Sequence, residues 1–351
     1  MKKDLILKIV LVIILALAAG VYFTIHKSYL DRDVTGFDIF FIYKEGERII
    51  SGENPYTRII GGSMRENDKY PTYLPGFYLF AGLTRAMGLK EFSRWVIFWR
   101  WLSFFINFGL TGFIFYWINK KRGMILATAA AVIWLLNRWS LYITLSAHID
   151  FLAILLLVLS LYFLPKKTYL ACFLFSISLL VKQIGIFLFP LYLIWLYRIF
   201  KEKGLDKALV GLLWIIGPSL LISLPFILWS PEGFFRCILF SVTRNPEYNQ
   251  LLSIPLDRVL DLVGFPAKIP MFTLMALIYF ADYRGKTGVI TSSLMIMLVF
   301  VLFHSVLFAQ YLVWLIAMIL LVMVDYRLYK PSPDIENEVN SELKAGGVTA
   351  C

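Results

Sequence analysis

The stretch TYLPGFYLFAGLTRAMGL, Thr72 to Leu89, decides how the chain is threaded. It is apolar enough to pass for a membrane crossing. Yet it holds Pro75, Gly76 and Arg85, and its roughly 18 residues are at the short end of what a bilayer core needs. The basic clusters settle how it is read. Lys2, Lys3 and Lys8 open the chain, and Lys120, Lys121 and Arg122 follow the second long apolar block. Lys166 and Lys167 come next, then Arg198, Lys201, Lys203 and Lys207, then Arg284 and Lys286, and last Arg327 and Lys330. If Thr72–Leu89 stays on one side, all six clusters fall on one face, which the positive-inside rule makes cytoplasmic. If it crosses, later clusters flip outward. The stretch is therefore expected to be an interfacial or re-entrant helix on the outer side.

Working outward, ten apolar blocks read as helical spans: roughly 5–25, 94–118, 124–146, 148–164, 168–183, 184–200, 208–229, 267–281, 287–303 and 305–325. Helices are required because lipid cannot satisfy backbone polar groups. The expected fold class is all-α, a polytopic bundle forming one transmembrane domain over 1–330, with both termini cytoplasmic. Outer loops are expected at about 26–93 and 230–266, and a polar, disordered tail at 331–351. Composition agrees: 60% of the 351 residues are hydrophobic and 16% charged, against about 25% charged in a soluble domain. The net charge of +11 sits in short clusters between apolar blocks, which argues for membrane topology over nucleic-acid binding. Cys172, Cys237 and Cys351 are scattered and lack metal-ligand spacing. The block Leu5–Ile25, after Lys2 and Lys3, is expected to be a retained signal anchor. The low cysteine count and compact loops suit the cell membrane of a prokaryote.

Long structured loops in a compact chain tend to carry function. The first outer loop reads GFDIFFIYKEGERIISGENPYTR from Gly36 to Arg58. Asp38 opens an amphipathic helix with Phe41, Ile42, Ile49 and Ile50 on an apolar face. Lys44, Glu45, Glu47 and Arg48 are expected in water. Ser51-Gly52 ends it, and Asn54-Pro55-Tyr56 is a turn signal. The aromatic–proline run Tyr70-Pro71-Thr72-Tyr73-Leu74-Pro75-Gly76 follows. Asp38 is thus a carboxylate at the mouth of the first span.

A carboxylate after the first span, a glycine fourteen residues on, then Pro-Tyr and Tyr-Pro-x-x-x-Pro resembles the GT-C superfamily of membrane glycosyltransferases. The pattern D-x-D…G-x-S-P-Y-x-R of its GPI mannosyltransferase I type aligns with Asp38, Gly52, Pro55, Tyr56 and Arg58. The first acid of that D-x-D falls on Gly36 here, and Asp31 and Asp33 form a pair out of register. A divalent cation is therefore an open cofactor, with no ligand set named. Fainter echoes are Ser146-Ala147-His148-Ile149-Asp150, Lys182-Gln183 with Phe189-Pro190, Asn249-Gln250, and Gln310-Tyr311-Leu312-Val313-Trp314. The resemblance implies inverting transfer of a hexose, mannose by family weight, from a polyprenyl- or dolichyl-phosphate donor to a lipid-linked or glycan acceptor.

That chemistry needs a base for the acceptor hydroxyl, cations for the leaving phosphate and aromatics for the sugar and isoprenoid. Asp38 is the candidate base. Lys182, Arg138, Arg244 and His148 are candidate cations, and Tyr43, Tyr56, Tyr70 and Tyr73 candidate aromatics. Asp150, Gln310 and Tyr311 are candidate donor or acceptor contacts. Plainer roles stand beside each. Asp38 and Asp150 could cap helices, and Lys182 could snorkel. Arg138 and Arg244 could anchor lipid headgroups, and His304 could simply pack. Gln310 and Tyr311 could bond structurally inside a span. A transporter or flippase, and a non-enzymatic scaffold, are the competing functions. Transporters tend to place ionisable sites at mid-membrane, whereas these acids lie at outer loops and span ends.

Overall fold

The computed structural model describes residues 2–62, 71–243, 259–260, 262, 265–304 and 307–325. The expectations for Tyr70, Arg244, Asn249, Gln250, Arg327, Lys330 and the 331–351 tail fall outside these. Every regular element among the described residues is helical. Helix α1 runs Lys2–Ser28, α2 Asp38–Ile50, α3 Gly76–Ala86 and α4 Phe92–Arg122. Then come α5 Met124–Leu136, α6 Arg138–Ser146, α7 Asp150–Phe163 and α8 Thr168–Val181. They are followed by α9 Phe189–Lys203, α10 Leu205–Trp229 and α11 Pro231–Thr243. The last three are α12 Ile269–Tyr283, α13 Val289–Phe303 and α14 Ala309–Val322. Short 3-10 turns cover Pro55–Ile60 and Gln183–Leu188.

Among the described residues, four helices are long and apolar enough to cross a membrane: α1, α4, the continuous Gln183–Lys203 segment and α10. The bent pair α5–α6 makes a fifth. Helices α7, α8, α13 and α14 are apolar but have only 14 or 15 residues, about 21–23 Å of rise against a hydrocarbon core of about 30 Å. By length, then, four or five of the ten expected crossings are met. Helix α1 keeps an apolar exposed flank, with Leu5, Ile6, Ile9, Ile13 and Leu17 all more than half exposed or close to it.

The span expected over 124–146 is broken. Asn137 accepts from the backbone amides of Trp139 and Ser140 through its Oδ1, at 3.0 Å each, and so caps α6. Its Nδ2 donates back to the carbonyls of Ile133 and Trp134. One polar side chain thereby ends α5 and starts α6 at a 43° bend.

The stretch around Thr72–Leu89 contains an 11-residue helix, α3, too short to cross. Two close approaches fix it. A Cβ on Gly46 of α2 would lie 2.6 Å from the amide nitrogen of Gly82, so α2 and α3 touch backbone to backbone. A Cβ on Gly76 would lie 2.8 Å from the carbonyl oxygen of Leu180, so α3 begins against the end of α8. Helix α2 ends as expected, with Gly52 at φ +80°, a conformation that glycine adopts without penalty.

One expectation for α2 is overturned. Glu45 does not face water; it is 2% exposed. The Pro55–Ile60 turn folds over it, so that Arg58 pairs with Glu45 Oε1, with Arg48 on the other oxygen at 3.4 Å. Ile50, expected on the apolar face, lies on the side of α2 that meets α3, its Cγ2 3.3 Å from where a Cβ on Gly82 would be, and is 47% exposed.

The bundle has two chemically distinct ends. At one, Arg122 Nε donates to the Met323 carbonyl at 2.7 Å, Arg198 pairs with Asp282 at 2.9 Å, and Thr291 Oγ1 donates to Asp325 at 2.7 Å. This end gathers the C-termini of α4, α9, α12 and α14. The opposite end gathers the N-termini of α2, α7 and α14 with the C-termini of α6 and α8, and it carries the candidate site.

Candidate active site

Asp38 is the first residue of α2, and the capping position is Phe37, whose side chain makes no cap bond. The Asp38 carboxylate is directed to other elements. Its Oδ2 accepts from the Tyr73 hydroxyl at 3.0 Å and from Gln310 Nε2 at 3.4 Å. The Nδ1 of His148 lies 3.8 Å from the same oxygen. The Asp38 side chain keeps 17% of its surface exposed. Residues far apart in sequence thus converge on one carboxylate.

His148 arrives there through a strained turn. Ala147 has φ +54°, the left-handed region, which costs a non-glycine residue about 1–2 kcal/mol. Two bonds hold it: Trp99 Nε1 donates to the Ala147 carbonyl at 2.8 Å, and the His148 amide donates to the Ile143 carbonyl at 3.1 Å. Strain of this kind persists where surrounding structure enforces it, often at functional sites.

Asp150 is fully buried and opens α7. Lys182, 1% exposed, reaches both its oxygens at 2.9 and 2.8 Å, and Trp314 Nε1 donates to Oδ1 at 2.6 Å. The backbone at Lys182 is extended, which stops α8 and turns the ammonium inward. So Lys182 neither snorkels nor stands open to a phosphate; its charge is matched by Asp150. Its Nζ lies 5.6 Å from the centre of the Tyr73 ring, within cation–π range. Tyr73 therefore links the two carboxylate centres.

Tyr73 is itself fixed. Its amide donates to the Tyr78 hydroxyl at 3.1 Å, and its carbonyl accepts from the Tyr56 hydroxyl at 2.8 Å. The neighbouring Thr72 carbonyl accepts from Gln183 Nε2. Burial first, then the Asp38 charge, pushes the Tyr73 hydroxyl well above pKa 10, so it stays a proton-bearing donor to Asp38. Tyr56 is fully buried between Phe226 and Phe234. It is a post beneath the site, not the sugar platform expected. Tyr43 is likewise occupied, donating to the Lys90 carbonyl under the Arg85 guanidinium.

Arg138 is not brought to this group. It stands exposed at the start of α6, against the Trp139 ring, about 12 Å of helix from Ser146. Gln310 belongs to the site. Tyr311 packs against Phe300, His304 and Phe308. Trp314, missed as a site residue, shares a helical face with Gln310 four positions earlier, and that spacing is the signal that could have found it.

The out-of-register pair does not build a metal site with Asp38. Asp33 is turned onto its own loop, accepting from the Thr35 amide at 2.8 Å and from the Thr35 hydroxyl at 2.6 Å. Among the described residues no three His, Cys, Asp or Glu side chains are grouped to hold a metal ion. No protein-family model, curated protein or solved structure matches the chain.

Proposed function

We propose that the chain is an inverting glycosyltransferase of GT-C type. It moves a hexose, with mannose the first candidate, from a polyprenyl- or dolichyl-phosphate donor to a hydroxyl of a glycolipid or glycan. The observation that carries this reading is the partly exposed Asp38 carboxylate, held by Tyr73 and Gln310 beside His148, at the bundle end opposite the basic loops. In this reading those loops and both termini are cytoplasmic, the ten apolar segments all cross, and the site faces outward. Nucleotide sugars are scarce there, so the donor is lipid-borne.

Asp38 takes the proton from the acceptor hydroxyl as its oxygen attacks the anomeric carbon, while the bond to the phosphate oxygen breaks on the opposite face. Tyr73 and Gln310 orient the carboxylate. The Asp150–Lys182 pair keeps the floor beneath Tyr73 rigid and electrically balanced. No step is assigned to a metal ion. The test is transfer of radiolabelled sugar from a polyprenyl-phosphate donor in membranes carrying the protein, against membranes without it.

The buried Asp150–Lys182 pair favours a second reading, an ion-coupled transporter, because intramembrane ion pairs often mark proton paths. Uptake into proteoliposomes that depends on a pH gradient, without sugar transfer, would select it.

A further inference from the structure

The end of the bundle opposite the candidate site carries a basic patch that the proposed reaction does not use. Helices α4 and α7 meet there through aromatic rings. Tyr162 of α7 lies against Phe113, Tyr116 and Trp117 of α4, with centroids 5.1, 6.4 and 5.1 Å away. Two of these rings each carry an ammonium. Lys166 Nζ stands 3.3 Å from the centre of the Tyr162 ring, and Lys120 Nζ stands 5.9 Å from that of Tyr116, both within cation–π range. Lys121 and Lys167 follow them directly in the chain, and all four lysines are exposed. Arg122 is not part of the patch: its Nε is turned to the Met323 carbonyl at 2.7 Å.

Nothing acidic matches this charge. Among the described residues none of the four lysines forms an ion pair. The sequence holds no Asp or Glu from 92 to 149 or from 151 to 201, and Asp150 between them is sealed against Lys182 at the other end. The acids buried at this end, Asp282 and Asp325, are taken by Arg198 and Thr291. A lysine ammonium has three N–H donors, so one seated on a ring face still points donors outward. The patch is also bordered by apolar surface. Ile125 and Leu126 stand at the start of α5 just beyond Lys121, and Tyr169 and Leu170 at the start of α8 just beyond Lys167, all more than a third exposed. A partner that fits must offer an anion and hydrocarbon side by side. An acidic peptide or a free phosphate offers only the first.

We propose that the α4–α7 end docks an anionic phospholipid, its phosphodiester headgroup on the four lysines and its acyl chains beside the starts of α5 and α8. The surface is separate from the proposed transfer reaction and stands or falls without it. The test uses the full chain purified in a maltoside detergent, with thermal unfolding followed by tryptophan fluorescence. It is titrated with dioleoylphosphatidylglycerol, with zwitterionic dioleoylphosphatidylcholine, and with inorganic phosphate. A ligand that binds the folded state alone raises the unfolding midpoint. Phosphatidylglycerol should do so at concentrations where the other two do not. Each lysine beside a span strengthens such binding about fivefold, so Lys120→Gln with Lys166→Gln should raise the half-saturating concentration roughly 25-fold. Both side chains are exposed, and the double variant should fold. Lys27→Gln with Arg94→Gln removes as much charge from exposed positions at the opposite end and should leave the titration near wild type. The proposal is overturned if phosphatidylglycerol does not stabilise the wild type, or if phosphatidylcholine or inorganic phosphate stabilises it equally well. It is also overturned if the Lys120–Lys166 double variant responds like wild type, or if the opposite-end variant weakens binding as much.

Discussion

The Tyr73 hydroxyl donates to Asp38 Oδ2 across 3.0 Å, joining segments 35 residues apart in sequence. The same ring stands 5.6 Å from the Lys182 ammonium. One tyrosine thus sits between a carboxylate that is 17% exposed and a carboxylate that is sealed by an ion pair. Tyr73→Phe keeps the ring and removes the donor. A hydrogen bond to a charged group is worth about 1.5–3 kcal/mol, so transfer should fall roughly 10–100-fold. The fall should be in kcat, with the apparent donor affinity kept, and loss of the same bond should also lower the unfolding midpoint.

The Asp150–Lys182 pair should behave as a stability element. Removing one partner of a buried pair costs about 3–5 kcal/mol, whereas replacing both is often close to neutral. Lys182→Met should lower the thermal midpoint sharply, and Asp150→Leu combined with Lys182→Met should restore most of it. A Lys182→Met protein as stable as wild type but weak in donor binding would make Lys182 a phosphate ligand after all.

The α2–α3 crossing gives a direct test of how Asp38 is placed. Gly46→Ala puts a methyl 2.6 Å from the Gly82 amide nitrogen. Overpacking of this kind costs about 1–3 kcal/mol, and it should also reduce transfer by shifting α2. Gly112→Ala on α4 meets nothing within 4 Å and should leave both stability and transfer near wild type. Equal behaviour of the two variants would remove the crossing from the account.

Much of α2 was legible. Asp38 opens the helix, and Gly52 at positive φ ends it, because local signals set both limits. What the helical pattern could not reveal was what folds over it. Glu45 reads as a surface residue until the Pro55–Ile60 turn brings Arg58 onto it. The Asp150–Lys182 contact joins the far ends of two neighbouring helices, and nothing in either segment alone names the other. Asn137 was a polar residue inside an apolar run. Its capping bonds, which break the run, depend on backbone geometry that hydropathy does not register.

The proposed orientation, with the basic loops cytoplasmic, has its own test. Reporters inserted near Lys121 and Lys203 should be cytoplasmic, and one near Glu66 external. Finding the Glu66 and Lys121 reporters on one side would reverse the placement of the site.

The most direct measurement compares wild type and Asp38→Asn in transfer of radiolabelled sugar from a polyprenyl-phosphate donor, in membranes holding equal amounts of folded protein. Asparagine keeps the shape of the side chain and can still hydrogen-bond to Tyr73, but it cannot take a proton. Wild type should transfer the sugar, and the variant should lose at least about 10²-fold, the lower end for removing a general base, with donor binding retained. Folded Asp38→Asn protein that transfers sugar at a near-normal rate would contradict it.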